Sequence, residues 1–391
     1  MSRKIILHIG RHKCGTSSIQ RTMEWNREEL AGLGFFYPET SKGEIAHHRI
    51  GRTLADQRFM LPADSVAREN IQYVLQGARG TPLRNATPEI LKRSLELLRS
   101  GRLFGRASDK LQVDFTQEKA AAPATHNLRG IATEQELELF RESLRDAEQE
   151  WAVVSSETFQ NCRSPGKIRR FFHGFKVYPV CYIREQGAYL RSSYAQRVQA
   201  SHYGGSLEEY YRDSFSADYS SFLDKWSRSF GKSIIVRRFE RDKLYQGDVI
   251  HDFFTQVLGL KPEQYHHFRL AASENPSLSA TMLAFKLRLN REGYALEPNI
   301  YHLLISLDAP GSTPYQLTPE FLSQIRERYR DSNRRVAERF FQGEELFTIP
   351  GEAQAHPLPE LQEPHFQELL QAVEEASPGC IRAVSSAPSS H

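Results

Sequence analysis

The sequence predicts an α/β fold of the P-loop type, with three layers: a central, mostly parallel sheet flanked by helices, and a helical C-terminal extension. Two observations predict it. Apolar, strand-like runs alternate with helical periodicity, as in parallel sheets that are covered on both faces. The first run leads through a glycine-bearing turn into a helix-like segment, and such turns bind phosphate groups at helix N-termini.

The predicted elements follow from periodicity and from turn residues. Four apolar runs are predicted as buried strands: residues 4–10, 151–156, 175–184 and 232–240. A short aromatic run at 35–38 ends in a proline, which indicates an edge or a strand end. Helical spacing predicts helices after the first turn as far as Gly34, and over 133–149, 167–172, 189–198 and 219–230. A long helix is predicted from the Thr318-Pro319 cap to Phe340.

The predicted domain organisation is one α/β domain over residues 1–350. Periodicity is weak over about 50–130, which we interpret as an insertion that contributes to an acceptor site. Within it, Arg79–Lys110 carries eight Lys or Arg against three Asp or Glu, typical of a solvated face or of a surface for an acidic acceptor. Residues 351–391 are rich in Pro and Ser and predict a partly disordered tail.

Composition excludes several classes of protein. The net charge of +3 lacks the strong basic field of nucleic-acid binders. No stretch approaches the roughly 18 apolar residues of a membrane span, although a peripheral membrane contact stays open. The N-terminal apolar run is too short for a signal peptide, and the four cysteines have no paired spacing, which indicates neither a disulfide framework nor a zinc site. We therefore expect a soluble, cytoplasmic protein, of undetermined oligomeric state.

The turn after the first strand reads G-R-H-K-C-G-T-S-S. The free N–H groups and the dipole of the following helix favour an anion there. Gly10 and Gly15 let the backbone approach a ligand, and Lys13 adds a full charge. The predicted ligand-binding residues of this loop are Arg11, His12, Lys13, Cys14, Gly15, Thr16 and Ser17.

The position of the lysine distinguishes between ligands. In P-loop nucleotidases a Ser or Thr directly after the lysine binds Mg²⁺. Here that residue is Cys14, a poor ligand for a hard cation. We therefore expect no metal at this site.

The order K-x-G-T-[ST] resembles the 5′-phosphosulfate loop of sulfotransferases that use 3′-phosphoadenosine 5′-phosphosulfate (PAPS), whose usual bacterial form is close to H-x-G-x-x-K-T-G-T-T-S. This chain reads HIGRHKCGTSS and departs at Cys14 and Ser17. The segments SSETF, VRRFERDKL, DFFTQVLGL, ENPSLS and YRDSNRRVAERFF extend the resemblance to bacterial carbohydrate- or lipid-type members, over residues 3 to about 348. Residues 51–130 match nothing in the family pattern.

The resemblance implies a second anion site, for the 3′-phosphate. In the family an arginine ends a strand and a serine follows eight positions later, which here are Arg184 and Ser192. The family's basic-Gly triad is not visible, and Asn275 or Ser277 is the candidate for that role. The product would be 3′,5′-phosphoadenosine (PAP), and the acceptor a small molecule, a carbohydrate or a glycolipid.

The resemblance also implies in-line transfer of a sulfuryl group to a hydroxyl or amine, with Lys13 stabilising the leaving phosphate. A general base is needed. The candidates, in order of preference, are His47, His48 and Glu157, with Glu39 at a position where heparan-type relatives carry a catalytic glutamate. Glu157 ends a predicted strand, where open α/β sheets bind ligands.

Two other functions stay open from the sequence. One is a P-loop kinase or nucleotidase, which the missing Ser or Thr after Lys13 disfavours. The other is a non-catalytic protein that keeps the fold and binds the same nucleotide.

Overall fold

The computed structural model describes residues 3–40, 44–55, 132, 134–200, 203–272, 278–297, 300–308, 312–348 and 356–382. Its main sheet has five strands: β1 Lys4–His8, β2 Phe35–Phe36, β3 Trp151–Ser155, β4 Lys176–Ile183 and β5 Ile235–Arg238. The strand order is β2-β3-β1-β4-β5. β1 pairs in parallel with β3 and β4, and β2 pairs in parallel with β3. The α/β fold predicted from the sequence is confirmed.

The central strand β1 shows why continuous apolar runs form this sheet. Ile5 and Leu7 have no exposed surface, and Ile6, which points to the opposite face, is 2% exposed. A strand that is buried on both faces gains from apolar side chains at every position. In the sequence, β1 is therefore a continuous run of mostly apolar residues rather than an alternation of apolar and polar residues.

The described residues contain fourteen α-helices. They are α1 Thr16–Trp25, α2 Arg27–Gly32, α3 His48–Leu54, α4 Glu134–Asp146, α5 Pro165–Phe171, α6 Gln186–Ala200, α7 Leu207–Asp213, α8 Tyr219–Phe230, α9 Val249–Asp252, α10 Pro262–Tyr265, α11 Ala280–Arg291, α12 Ile300–Leu307, α13 Pro319–Phe340 and α14 Glu363–Ala376. The predicted helices after the first turn, before β3, between β4 and β5 and after Thr318 are all present. No helix among the described residues has the length and apolar character needed to cross a bilayer.

Contacts divide the chain into two compact units. The first comprises Met1–Gly10, Gln20–Cys181 and Lys225–Ile235, and the second comprises Arg11–Ile19, Tyr182–Asp224 and Val236–His391. The first unit contains β1, β2, β3 and α2–α5. The second contains the loop after β1, α6, α7 and the helices from α9 onward. The predicted insertion at 50–130 lies almost entirely outside the described residues, as does the basic stretch Arg79–Lys110.

Two local features were not predicted from the sequence. The single helix expected up to Gly34 is two helices, because the buried side chain of Asn26 donates to Thr22 O at 2.6 Å and competes with the helical backbone bonds. The tail predicted to be partly disordered contains α14, with Phe366 and Val373 fully buried. A short strand β7 (Ile381–Arg382) follows α14 and pairs antiparallel with β6 (Ala295–Leu296).

Candidate nucleotide site and candidate base

The loop between β1 and α1 has three residues with a positive φ, of which Gly10 has a φ of +43°. Lys13 has a φ of +64° and Gly15 a φ of +70°. A Cβ atom on Gly15 would lie 2.5 Å from Val249 Cγ1 and 3.2 Å from Phe239 Cε2. Glycine is therefore required at position 15 by both conformation and space. Lys13 is a lysine in a conformation that costs a non-glycine residue about 1–2 kcal/mol, and such strain is typical of functional loops.

Hydroxyl groups fix the start of α1 to its surroundings. Thr16 Oγ1 donates to Arg11 O at 3.3 Å, and Ser18 Oγ donates to Ala272 O at 3.2 Å. Thr16 and Ser18 are buried, whereas Ser17 is exposed. Of the three hydroxyl groups, that of Ser17 is therefore the one that faces outward at the start of the helix.

Arg11 is buried among aromatic rings. Its guanidinium carbon lies 5.1 Å from the ring centre of Tyr189 and 5.0 Å from those of Tyr219 and Phe222. Its Nη2 donates to Ser216 O at 3.2 Å. These cation–π contacts favour a supporting role for the side chain. The predicted contribution of Arg11 to ligand binding would then come from its main chain.

Two further loop residues were predicted as ligand contacts. Cys14 is 1% exposed, so a ligand at this position would meet its backbone rather than its thiol. His12 is half-buried beside Lys13.

Arg184, which was predicted to form the second anion site, contacts the loop between β1 and α1. Its Nη1 donates to Lys13 O at 2.9 Å and to Ser192 Oγ at 3.1 Å. The guanidinium stacks on the ring of Phe239 at 5.4 Å, and Tyr219 Oη donates to Arg184 O at 2.5 Å. Lys13, Arg184 and Ser192 therefore form one cluster in the second unit.

The donors of this cluster suit an anionic ligand. A lysine, an arginine fork and a serine hydroxyl lie with the start of α1, where the helix dipole is positive. Among the described residues, no group of three or more His, Cys, Asp or Glu side chains is arranged to hold a metal ion. Asn275 and Ser277, considered from the sequence for the 3′-phosphate, lie outside the described residues.

His47, the preferred base from the sequence, is fully buried in the first unit. Its Nε2 donates to Pro38 O at 3.0 Å, and its Nδ1 accepts from Ser155 N at 3.0 Å. Burial lowers the pKa of His47 to about 4. Both ring nitrogens are engaged by the backbone, so the geometry fits a structural histidine better than a base that must contact a substrate.

His48 is half-buried, and its Nδ1 lies 3.1 Å from Ser156 Oγ. The Ser156 hydroxyl lies 2.7 Å from Thr158 Oγ1 and accepts from Thr158 N at 3.2 Å. A Cβ atom on Gly51 would lie 2.5 Å from Ser156 Oγ, so glycine permits α3 to approach this pair. The serine and threonine thus orient the His48 ring, as supporting groups orient a catalytic histidine.

The two carboxylate candidates differ in setting. Glu157 is half-buried at the first position of a short 3₁₀ helix after β3. Glu39 has 88% of its side chain exposed, at 3.8 Å from Arg27. Glu157 follows the carboxyl end of a strand as predicted, whereas Glu39 projects into solvent.

A buried polar group around Ser155 was missed by sequence reasoning. His8 Nδ1 lies 2.9 Å from Ser155 Oγ, and Gln20 Nε2 donates to the same oxygen at 3.0 Å. Burial lowers the pKa of His8 to about 4, opposed by the charge of Glu157. The signal was a histidine in an otherwise apolar strand, two residues before Gly10.

Comparisons with known proteins identify no family. No family model matches the chain, and no solved structure matches it. It is similar to an uncharacterized protein of Archaeoglobus fulgidus, with 31% identity over 209 residues, 51% of this chain and 56% of that protein. The chain thus spans about half the length of this relative, whose description names no activity.

Proposed function

We propose that the chain is a PAPS-dependent sulfotransferase. One observation carries the proposal: the arginine expected to bind the 3′-phosphate donates to the main chain of the lysine expected to bind the 5′-phosphosulfate, at 2.9 Å. Two positively charged side chains on one loop–strand cluster suit a ligand with two anionic groups on one skeleton. The buried thiol of Cys14, at the position of a magnesium-binding hydroxyl, favours a metal-independent ligand over a nucleoside triphosphate.

In the proposed reaction the sulfur–oxygen bond to the 5′-phosphate breaks as a bond from sulfur to the acceptor oxygen or nitrogen forms. Lys13 and the N–H groups at the start of α1 stabilise the negative charge that develops on the leaving phosphate, and preorganised donors of this kind contribute about 3 kcal/mol each. Arg184 and Ser192 hold the 3′-phosphate. The acceptor would be a hydroxyl or amine of a carbohydrate, a glycolipid or a smaller molecule.

The acceptor's proton needs a base, and we now favour His48 for this role. Its ring is oriented by Ser156 and is only half-buried, whereas both nitrogens of His47 are held by the backbone. Glu157 remains the second candidate. A neutral imidazole is an effective proton acceptor near neutral pH because its ordinary pKa lies close to that pH.

The test is a thermal-shift titration with PAP, compared with ATP and Mg²⁺. Stabilisation by PAP without metal, and none by ATP with Mg²⁺, is the expected result. Stabilisation by ATP that depends on Mg²⁺, with no response to PAP, would instead favour a kinase or nucleotidase. PAP binding without sulfuryl transfer to any pool of sugars, glycolipids or amines would indicate a binding protein of the same fold.

A further inference from the structure

Arg184 uses one of its side-chain nitrogens, Nη1, for hydrogen bonds within the protein. A guanidinium Nη1 carries two hydrogens, and its two hydrogen bonds, one to Lys13 O and one to Ser192 Oγ, use both. The fork has three other N–H groups, on Nη2 and Nε, from which a phosphate can accept. Binding an anion and holding Lys13 are therefore compatible tasks for the same side chain.

Lys13 needs such a contact because its backbone is strained. A lysine at a φ of +64° persists only where the surroundings fix it. The bond from Arg184 Nη1 to Lys13 O comes from a charged donor, and such bonds are the stronger ones. The contact therefore holds the backbone of Lys13, the residue whose ammonium group is proposed to bind the 5′ group.

Arg184 is itself held from two sides. Phe239 supports its guanidinium and lies against Gly15, the next left-handed residue of the loop. Tyr219 donates to its carbonyl oxygen, and the Tyr219 ring also contacts the Arg11 guanidinium. The arginine is thus fixed at both its main chain and its side chain, as a positioning residue must be.

We infer that Arg184 is a positioning residue for Lys13 as well as a ligand of the 3′-phosphate, so that the two anion subsites are coupled. An anion on Arg184 and Ser192 restricts further the arginine that already holds Lys13 O, and the loop then binds the 5′ group more tightly. By thermodynamic linkage, the 5′ group strengthens 3′-phosphate binding by the same factor. This inference rests on the proposed function.

Two nucleotides separate the two tasks in calorimetric titrations. PAP carries the 3′-phosphate, and adenosine 5′-phosphosulfate lacks it but carries the 5′ group. Arg184→Lys keeps the positive charge but loses the fork geometry. We expect about 10-fold weaker binding of adenosine 5′-phosphosulfate to this variant, and a larger loss for PAP.

Two variants serve as matched controls. Ser192→Ala should weaken PAP binding, whereas its affinity for adenosine 5′-phosphosulfate should stay within twofold of that of the wild-type protein. Arg191→Lys alters a neighbouring arginine on α6 that bonds to Gln316 and to Tyr315 O rather than to the loop. It should leave both affinities within twofold. Fitted stoichiometries near one in every variant exclude a loss of folded protein.

Turnover adds a readout that a purely structural role would not change. With PAPS at saturation, its conversion to PAP should be slower in Arg184→Lys because Lys13 is displaced, whereas Arg191→Lys should convert PAPS at the wild-type rate. Wild-type affinity of Arg184→Lys for adenosine 5′-phosphosulfate, with PAP binding weakened, would overturn the coupling and leave the proposed function intact. Absence of PAP binding by the wild-type protein would overturn the proposed function itself.

Discussion

His47 pairs with Ser155 much as a residue of a neighbouring strand would. The His47 main-chain N donates to Ser155 O at 2.9 Å, and the ring Nδ1 accepts from Ser155 N at 3.0 Å. The histidine thereby fastens the start of α3 to the carboxyl end of β3. Its neighbour His48 is brought beside Ser156 as a result. The two histidines thus have different hydrogen-bond partners, although they are adjacent in the sequence.

The first prediction concerns acid stability. The pKa of His47 is lowered by burial to about 4 from its ordinary 6.5. Between these values the unfolded chain binds more protons, so the free energy of unfolding falls as the pH falls through this window. From pH 7 to pH 5 the contribution of His47 should fall by about 2 kcal/mol.

Urea titrations at both pH values measure this loss. His47→Gln keeps an acceptor and a donor in an uncharged side chain and should lose about 2 kcal/mol less than wild type over the same interval. An equal loss in both proteins would contradict the assignment to His47. His8, which is also buried, remains in both and contributes equally to the two curves.

The second prediction separates the two histidines by turnover. His48→Gln should lower kcat for sulfuryl transfer by about 100-fold or more and leave KM for the nucleotide unchanged, because a base acts only in the chemical step. His47→Gln should retain most of the activity. The reverse pattern, with His47→Gln inactive and His48→Gln active, would restore the order of preference drawn from the sequence.

The third prediction concerns the threonine behind the serine. Ser156 can accept from His48 Nδ1–H while its own hydrogen is donated to Thr158 Oγ1, and the ring then keeps its lone pair on Nε2. Thr158→Val removes that acceptor and should lower kcat, whereas Thr158→Ser should preserve it. Nitrogen chemical shifts of labelled His48 report the tautomer directly. An unchanged tautomer in Thr158→Val would rule out this orienting role.

The fourth prediction uses the left-handed lysine. Lys13→Gly removes both the ammonium group and the strain, so the free energy of unfolding should stay within about 1 kcal/mol of wild type or rise. Transfer should nevertheless fall by about 100-fold or more, since a preorganised charge is lost. Denaturant titration and turnover are measured on the same sample. Near-wild-type turnover would remove Lys13 from its proposed role.

The fifth prediction concerns Gly15. Gly15→Ala should destabilise the protein by about 1–3 kcal/mol more than Gly259→Ala. Gly259 has a similar φ of +72° but nothing within 4 Å of an added Cβ, so it isolates the conformational cost. Adding Val249→Ala to Gly15→Ala should recover part of the difference, because it removes the nearest atom. Equal effects at the two glycines would show that the Val249 contact relaxes freely.

The sequence predicted the strands well because a strand buried on both faces shows an unbroken apolar run, as β1 does. It could not predict the contact between Arg184 and Lys13, which depends on β4 lying beside β1 in the sheet. The resemblance to sulfotransferases indicated Lys13 and Arg184 separately, each from its own motif. Strand order, which joins positions 171 residues apart, is fixed by packing rather than by local pattern.

The choice between His47 and His48 was also beyond the sequence. Adjacent residues at a helix start face different directions, and which of them is buried depends on what the helix packs against. The break at Asn26 was missed because a single buried amide competes with the helix locally. The helix α14 was missed because its Pro- and Ser-rich surroundings masked a short apolar pattern.

The central place of β1 has a consequence for the integrity of the chain. β1 begins at Lys4 and has hydrogen-bonded neighbours on both sides. Loss of β1 would split the sheet into β2-β3 and β4-β5, and each half would present a newly unpaired apolar edge. Such edges bind other chains, so cleavage that released β1 would lead to aggregation and not merely to inactivation.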